Sequence, residues 1–372
     1  MNSYPKKYFS NLDATRFLSC LTVFLHHTIL TGSGTGDSAL YRFYDTNLSL
    51  DFIMGLDYYV VLSGFLLSWV ILEEYKHTSK FNLGFYYVRR ILRTWPLYFL
   101  LIILGYVLIV LARYFLSATV HDMPPLQYLL SFTLNFYIVK HGMAFLFFIA
   151  FLWSICVEEQ LYALWGIILK WGKKYFSPIC ILLVIASLVY RITHVHGGSD
   201  LFFNTMNWVA NFAIGGLMAN FCIQGGKTFE KLKETPKPVI ASIYLLFILN
   251  VVFYKYIYSS DTMVASERLI ITLFFSFMIF EQSFCNSHLF ELGKSRMMSY
   301  LGKIAYGLFC FHGPITLLFE KITARTGWSN NNFTVFFINP VLIFAVTVLV
   351  SAISYKYFEK PIMKLRYKLK TA

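Results

Sequence analysis

Apolar residues along this chain gather in long runs separated by short polar stretches. An α-helix needs about 20 mainly apolar residues to cross a ~30 Å hydrocarbon core. Runs of that kind predict ten spans, at 12–32, 51–74, 95–117, 145–170, 178–195, 205–223, 238–258, 266–283, 300–320 and 334–357. The stretch 127–139 is apolar too, but it is short and follows Pro124 and Pro125, which predicts a re-entrant or interfacial piece. The expected fold class is therefore an all-α integral membrane protein of about ten transmembrane helices with short loops, forming one membrane domain over residues 1–372.

Composition supports this and charge adds an orientation. Of the 372 residues 57% are hydrophobic and 14% charged, where a soluble domain carries about 25% charged residues. A disordered chain, a collagen and a small disulfide scaffold are excluded. The net charge of +13 would suggest a nucleic-acid partner in a soluble protein. Sorted by side of the predicted spans, however, the 32 lysines and arginines divide 24 to 8, with the N-terminal side enriched in every segment. By the positive-inside rule both termini are then cytoplasmic and nucleic acid leaves the set of partners. The segment Met1 to Asp13 has no apolar core before a small-residue cleavage site, so the first span is expected to be a retained helix. Six cysteines fall in the spans or at an inner end, without disulfide or metal spacing, and are read as small buried apolar residues; no metal site is expected.

Ionisable groups in mid-span are costly unless they meet a partner or a wet cavity. The first span holds Arg16 and His27. Eleven residues at about 100° each bring them to one face, about 16 Å apart along the axis. Asp13, one turn earlier, can pair with Arg16. The second span carries Asp57 near its outer end and Ser63 at mid-depth, with Gly55 and Gly64 permitting close approach of another helix or a ligand. In the fourth span Ser154, Glu158 and Tyr162 are spaced by four and share a face, with Glu159 on the flank and Gln160 beside it. One of the two glutamates can be assigned to an ion pair with Arg16, but hardly both. His312 in the ninth span lies about as deep as Glu158 and Ser63. A shared polar cavity accounts for all of these at once; separate structural roles, with Arg16 snorkelling and His27 bonded to a carbonyl, remain the alternative. Arg89, Arg90 and Arg93 precede the third span on the inner side. Their bidentate donors suit phosphate, although topology and lipid headgroups also account for basic residues there. Glu359 is expected to pair with a basic neighbour, and the tail from Lys364 to Lys370 to lie on the lipid surface.

Five segments occur in a fixed order: Arg16 and His27 with ten residues between them, within and after LDATRF, YYVVLSGFL at 58–66, RRILRTWPLY at 89–98, WSICVEEQLY at 153–162, and the late histidine span followed by the terminal glutamate–proline pair Glu359 to Pro361. Together they resemble the acyltransferase 3 family of integral membrane O-acyltransferases over nearly the whole chain. Departures are Cys156, Leu161 and Ala305, where the family favours serine or glycine, phenylalanine and serine. Some members carry an extracytoplasmic hydrolase-like domain after the last span; none is expected here, where the chain ends at Ala372.

The resemblance implies transfer of an acyl group, usually acetyl from acetyl-CoA, to a hydroxyl of a glycan such as lipopolysaccharide, exopolysaccharide or another envelope sugar, by a multi-pass protein of the bacterial inner membrane. Acetyl-CoA would be a donor substrate, with no permanently bound cofactor; membrane lipids are the remaining partners. An alcohol is a poor nucleophile at neutral pH, which makes His27 the candidate general base or acyl carrier, with Glu158 orienting the imidazole and Arg16 holding Asp13 or the donor carbonyl. Arg89, Arg90 and Arg93 would take the phosphates of CoA, while Asp13, Asp57, Ser63, Ser154, Glu159, Gln160, Tyr162 and His312 shape the site. The rival class is a proton-coupled transporter of a lipid-linked sugar or organic anion, which also uses intramembrane His and Glu. The chain lacks the matching half-repeats expected of one, and release of free CoA separates the two. A non-catalytic scaffold would leave the buried carboxylate pair as a cost without a return.

Overall fold

In hydrocarbon every backbone N–H and C=O needs an internal partner, and a helix supplies one within its own segment. The computed structural model describes residues 7–30, 54–116, 123–143, 147–326 and 331–371, together with 39, 42 and 328. It is 86% helical, without a strand among the described residues. All ten predicted runs fall on helices: α1 Ser10–Leu30, α2 Met54–Thr78, α3 Leu83–Leu116, α6 Leu152–Trp171, α7 Phe176–Thr193, α8 Met206–Gln224, α10 Lys237–Val252, α11 Asp261–Phe284, α13 Ala305–Thr326 and α14 Asn339–Ser354. Run ends at 31–32, 51–53, 117 and 145–146 lie outside the described residues, as does Lys6 of the inner basic group.

Among the described residues, seven helical segments are long and apolar enough to cross a membrane, and two bent pairs bring the number to nine. The pairs are α9 Lys227–Lys233 with α10, bent by 82°, and α12 Arg296–Lys303 with α13, bent by 71°. The expected tenth, α1, has the length at 21 residues, but Asp13, Arg16, His26 and His27 keep it below the apolarity of the others.

Three boundaries differ from the apolar pattern. α3 begins at Leu83 rather than at 95, so the three arginines lie on the helix itself; its 34 residues span about 50 Å. The apolar count stops at charged side chains, whereas the helix does not, and Pro96 is accommodated within it. The stretch 127–139 folds as two short helices, α4 Leu126–Leu130 and α5 Leu134–His141. They are separated at Phe132, whose φ of 54° is a left-handed conformation costly for a bulky side chain. Finally, the last helix continues past 357 through a π-turn at Tyr355–Glu359 into α15, Lys360–Thr371.

The chain packs as two discontinuous compact units. One holds the described residues within 1–21, 53–82 and 164–303, the other those within 22–52, 83–163 and 304–372. In the first, α2 and α8 meet backbone to backbone: a Cβ on Gly64 would sit 2.1 Å from the Phe212 carbonyl oxygen, and one on Gly215 2.2 Å from that of Val61. Such small-residue crossings replace the hydrophobic drive that lipid cannot supply. The aromatic rings of Phe9, Phe65, Trp69 and Phe284 cluster in this unit, each within 6.3 Å of the next. In the second, Phe132 stacks on Tyr98 with ring centroids 4.7 Å apart, and α13 packs on α14.

Candidate active site

His27 and His312 lie together in the second unit. Nδ1 of His27 is 2.8 Å from Nε2 of His312, and Nδ1 of His312 is 2.5 Å from the carbonyl oxygen of Phe309 in its own helix. His312 is 1% exposed and His27 half-buried, so the pair has one closed and one more open member. Phe24, Phe151 and Phe309 surround the His312 ring at 5.0 to 6.4 Å between centroids. The His26 ring stands at 5.2 Å from that of His27.

The carboxylates of α6 form a second cluster in the same unit. Tyr162 donates its hydroxyl to Glu158 at 2.5 Å, and the guanidinium of Arg90 lies over the Tyr162 ring at 4.9 Å. The charges of Arg90 and Arg93 both act on Glu158, and that of Arg93 also acts on Glu359. Glu359 is buried and accepts a hydrogen bond from Ser354 at 3.1 Å. Glu159 is held separately, by the Thr94 hydroxyl at 2.6 Å and the Trp95 indole N–H at 3.0 Å. Tyr306 ties the same turn of α3 to α13 through the Thr94 carbonyl at 2.7 Å. Arg89 packs over Phe85 at 4.8 Å. Gln160 donates to the Phe132 carbonyl at 2.6 Å and to Asn135 at 2.9 Å, and Ser154 donates to the Phe151 carbonyl at 3.1 Å.

The two clusters occupy different levels. The depth count places Glu158 and His312 together, yet the residue beside His312 is Phe151, just ahead of α6 and seven positions before Glu158, or about 10 Å at the helical rise. On α13 the residue tied to the Thr94–Glu159 turn is Tyr306, six positions before His312, or about 9 Å. The imidazole partner that the structure gives His27 is thus a histidine, and Glu158 is met by a tyrosine and two arginine charges.

The remaining candidates belong to the first unit. Arg16 pairs with Asp13 at 2.9 Å as the one-turn spacing predicts. Tyr8, ahead of the helix, donates to the other Asp13 oxygen; burial, then the bond to Asp13, push its hydroxyl up to about 12. Ser63 is half-buried on α2. Gly64 turns out to serve helix contact. Asp57 is fully enclosed by Arg268 at 2.5 Å and Asn211 at 2.8 Å, and Arg268 in turn lies 3.9 Å from the centre of the Trp208 ring. Beside it Arg191, also buried, bonds to Asn207 at 2.5 Å, to the Ala265 carbonyl at 2.7 Å and to Glu267 at 3.4 Å. Sequence reasoning counts Arg191 and Arg268 only as outer-side charges; the signal that finds them is Asp57 itself, which needs a cation at that depth. Thr94, Trp95 and Tyr306 are the other partners the sequence does not single out. All six cysteines are buried.

The family model described as an acyltransferase domain matches residues 9–356. Among curated proteins, a putative peptidoglycan O-acetyltransferase of Bacillus subtilis is 24% identical, over 96% of this chain and 55% of its own length. A peptidoglycan O-acetyltransferase of Listeria monocytogenes is 22% identical, over 97% and 57% respectively, and an O-acetyltransferase of Staphylococcus aureus 22% identical, over 98% and 59%. The chain therefore spans a little over half the length of the curated relatives it matches. No solved structure matches it.

Proposed function

Because the chain belongs to the acyltransferase 3 family, we propose that it is a membrane O-acyltransferase that moves an acetyl group from cytoplasmic acetyl-CoA to a glycan hydroxyl, in the cytoplasmic membrane of a bacterium. The observation that carries this reading is the hydrogen-bonded pair of His27 and His312, one member half-buried and the other sealed in aromatic rings, about 10 Å beyond a tyrosine–carboxylate–arginine cluster. A base, a dry wall around it and an anion-binding level below it are what acyl transfer from an anionic thioester requires.

The reaction then runs as follows. CoA phosphates meet Arg90 and Arg93 on the side enriched in basic residues, and the pantetheine arm carries the thioester toward the histidines, within the ~15 Å of half a bilayer. His27 takes the proton of the acceptor hydroxyl while the oxygen's electron pair forms the bond to the acyl carbon. The C–S bond breaks, and the proton passes to the CoA thiolate. In the variant with a covalent intermediate, the imidazole itself first carries the acetyl. The two matching relatives named for peptidoglycan favour a cell-wall glycan over lipopolysaccharide as acceptor.

The test is direct. Protein in lipid nanodiscs, given labelled acetyl-CoA and a peptidoglycan fragment, is expected to release free CoA and acetylate the fragment, and His27→Ala is expected to do neither. In sealed proteoliposomes, uptake of label without CoA release points instead to a carrier. A single turnover without acceptor leaves label on the protein only if the acetyl-histidine forms.

A further inference from the structure

The two imidazoles meet edge to edge. Their planes differ by 17° and their centroids are 5.0 Å apart while the facing nitrogens are 2.8 Å apart. With the nitrogens so much closer than the centres, both rings point a nitrogen at the other near a common plane, the arrangement in which an N–H and a lone pair face each other.

Who donates follows from the far end of the chain of bonds. The Phe309 carbonyl can only accept, so Nδ1 of His312 carries a hydrogen. In neutral His312 the other nitrogen, Nε2, then holds a lone pair. Nδ1 of His27 faces that lone pair and must donate to it, which leaves the lone pair of neutral His27 on Nε2. The backbone of α13 thereby dictates, through one intervening ring, which nitrogen of His27 is basic.

We propose that His312 is a positioning residue that fixes His27 as its Nδ1–H tautomer and turns Nε2 of His27 toward the substrate. This deepens the function proposed above and rests on it for the word substrate, but the tautomer itself does not. His312 does for His27 what a buried carboxylate does for the histidine of a hydrolytic triad, with a neutral ring in place of a charge. A neutral partner suits this setting, because a carboxylate beside an aromatic cage would have to be desolvated. When Nε2 of His27 takes a proton, the Nδ1–H bond to His312 is already in place to hold the imidazolium.

The experiment uses the full chain in nanodiscs with 15N-labelled histidine. Two-bond 1H–15N correlation reads the tautomer of each ring at alkaline pH, and His27→Asn assigns the His27 signals. Wild-type protein is expected to show His27 as Nδ1–H and His312 likewise. His312→Gln places an amide oxygen near the lost Nε2 and is expected to keep the His27 tautomer and most of the turnover. His312→Phe keeps the ring but not the acceptor; it is expected to give His27 a mixture of tautomers and to lower kcat by about tenfold or more with the donor KM unchanged. Nε2–H at His27 in the wild type, or an unchanged tautomer in His312→Phe, overturns the proposal. Should the protein transfer no acyl group at all, the function fails while the tautomer is still decided.

Discussion

The Arg268 guanidinium lies 2.5 Å from the Asp57 carboxylate, with the two residues 7% and 2% exposed. An ion pair at that depth adds little net stability, but breaking it leaves a bare charge. Asp57→Ala is therefore expected to cost about 3–5 kcal/mol. Combining it with Arg268→Met should recover most of that loss, since the double variant leaves no uncompensated charge. Thermal unfolding of the four proteins in one detergent measures the coupling. An additive double variant, or an Asp57→Ala protein that unfolds normally but is inactive, would assign Asp57 to the chemistry instead.

Asp57 also illustrates what the sequence makes legible. A carboxylate in an apolar run is anomalous in any fold, so the sequence flags it; its partner sits 211 positions away and nothing in the run says which distant cation turns inward. The same holds for the helices. All ten runs lie on helices, because apolar length alone sets them, whereas the start of α3 at Leu83 and the break at Phe132 depend on backbone geometry that hydropathy does not encode. Arg16 with Asp13 was readable because both partners lie one turn apart on one helix. His27 with His312, 285 positions apart, was readable only as two separate anomalies, with His27 placed somewhat nearer the outside.

Gly64 and Gly215 face each other's helices so closely that an added Cβ would fall 2.1 and 2.2 Å from a backbone oxygen. A backbone cannot step aside as a side chain can, so the helices must separate and lose their mutual packing. Gly64→Ala and Gly215→Ala should each lower the unfolding temperature and the monodisperse yield, and the double variant should cost less than the sum, because the first already parts the helices. Size-exclusion profiles of the three variants check this. Normal profiles would mean the crossing is looser than the distances require.

Gln160 holds the strained turn between α4 and α5 by its two bonds to Phe132 and Asn135. Removing it takes one hydrogen bond from the Phe132 carbonyl and one from the Asn135 amide, a loss of roughly 1–3 kcal/mol. Gln160→Met, similar in volume, is expected to raise protease cleavage between residues 131 and 134 while leaving the rest of the chain resistant. Limited proteolysis with mass mapping reads the cut site. Uniform destabilisation without a preferred cut would place the role of Gln160 in α6 rather than in the turn.

Arg90 stacks on Tyr162, whose hydroxyl is bound to Glu158, so one ring serves a cation on its face and a carboxylate at its edge. The two functions separate by substitution. Tyr162→Phe keeps the face and drops the edge, and is expected to leave the acetyl-CoA KM within about twofold. Arg90→Ala and Arg93→Ala remove the charges proposed to bind the donor phosphates and should each raise that KM about tenfold, equivalent to about 1.4 kcal/mol, with kcat affected much less. Arg90→Lys retains the charge but not the flat, bidentate group, and should fall between. The KM of the wild type should also rise with ionic strength, and this salt dependence should weaken in the arginine variants. Steady-state CoA release at several salt concentrations measures all of these together. If Arg90→Ala and Tyr162→Phe raised KM equally, the ring would be acting through its hydroxyl and Glu158, and the donor phosphates would have to be sought at other basic residues.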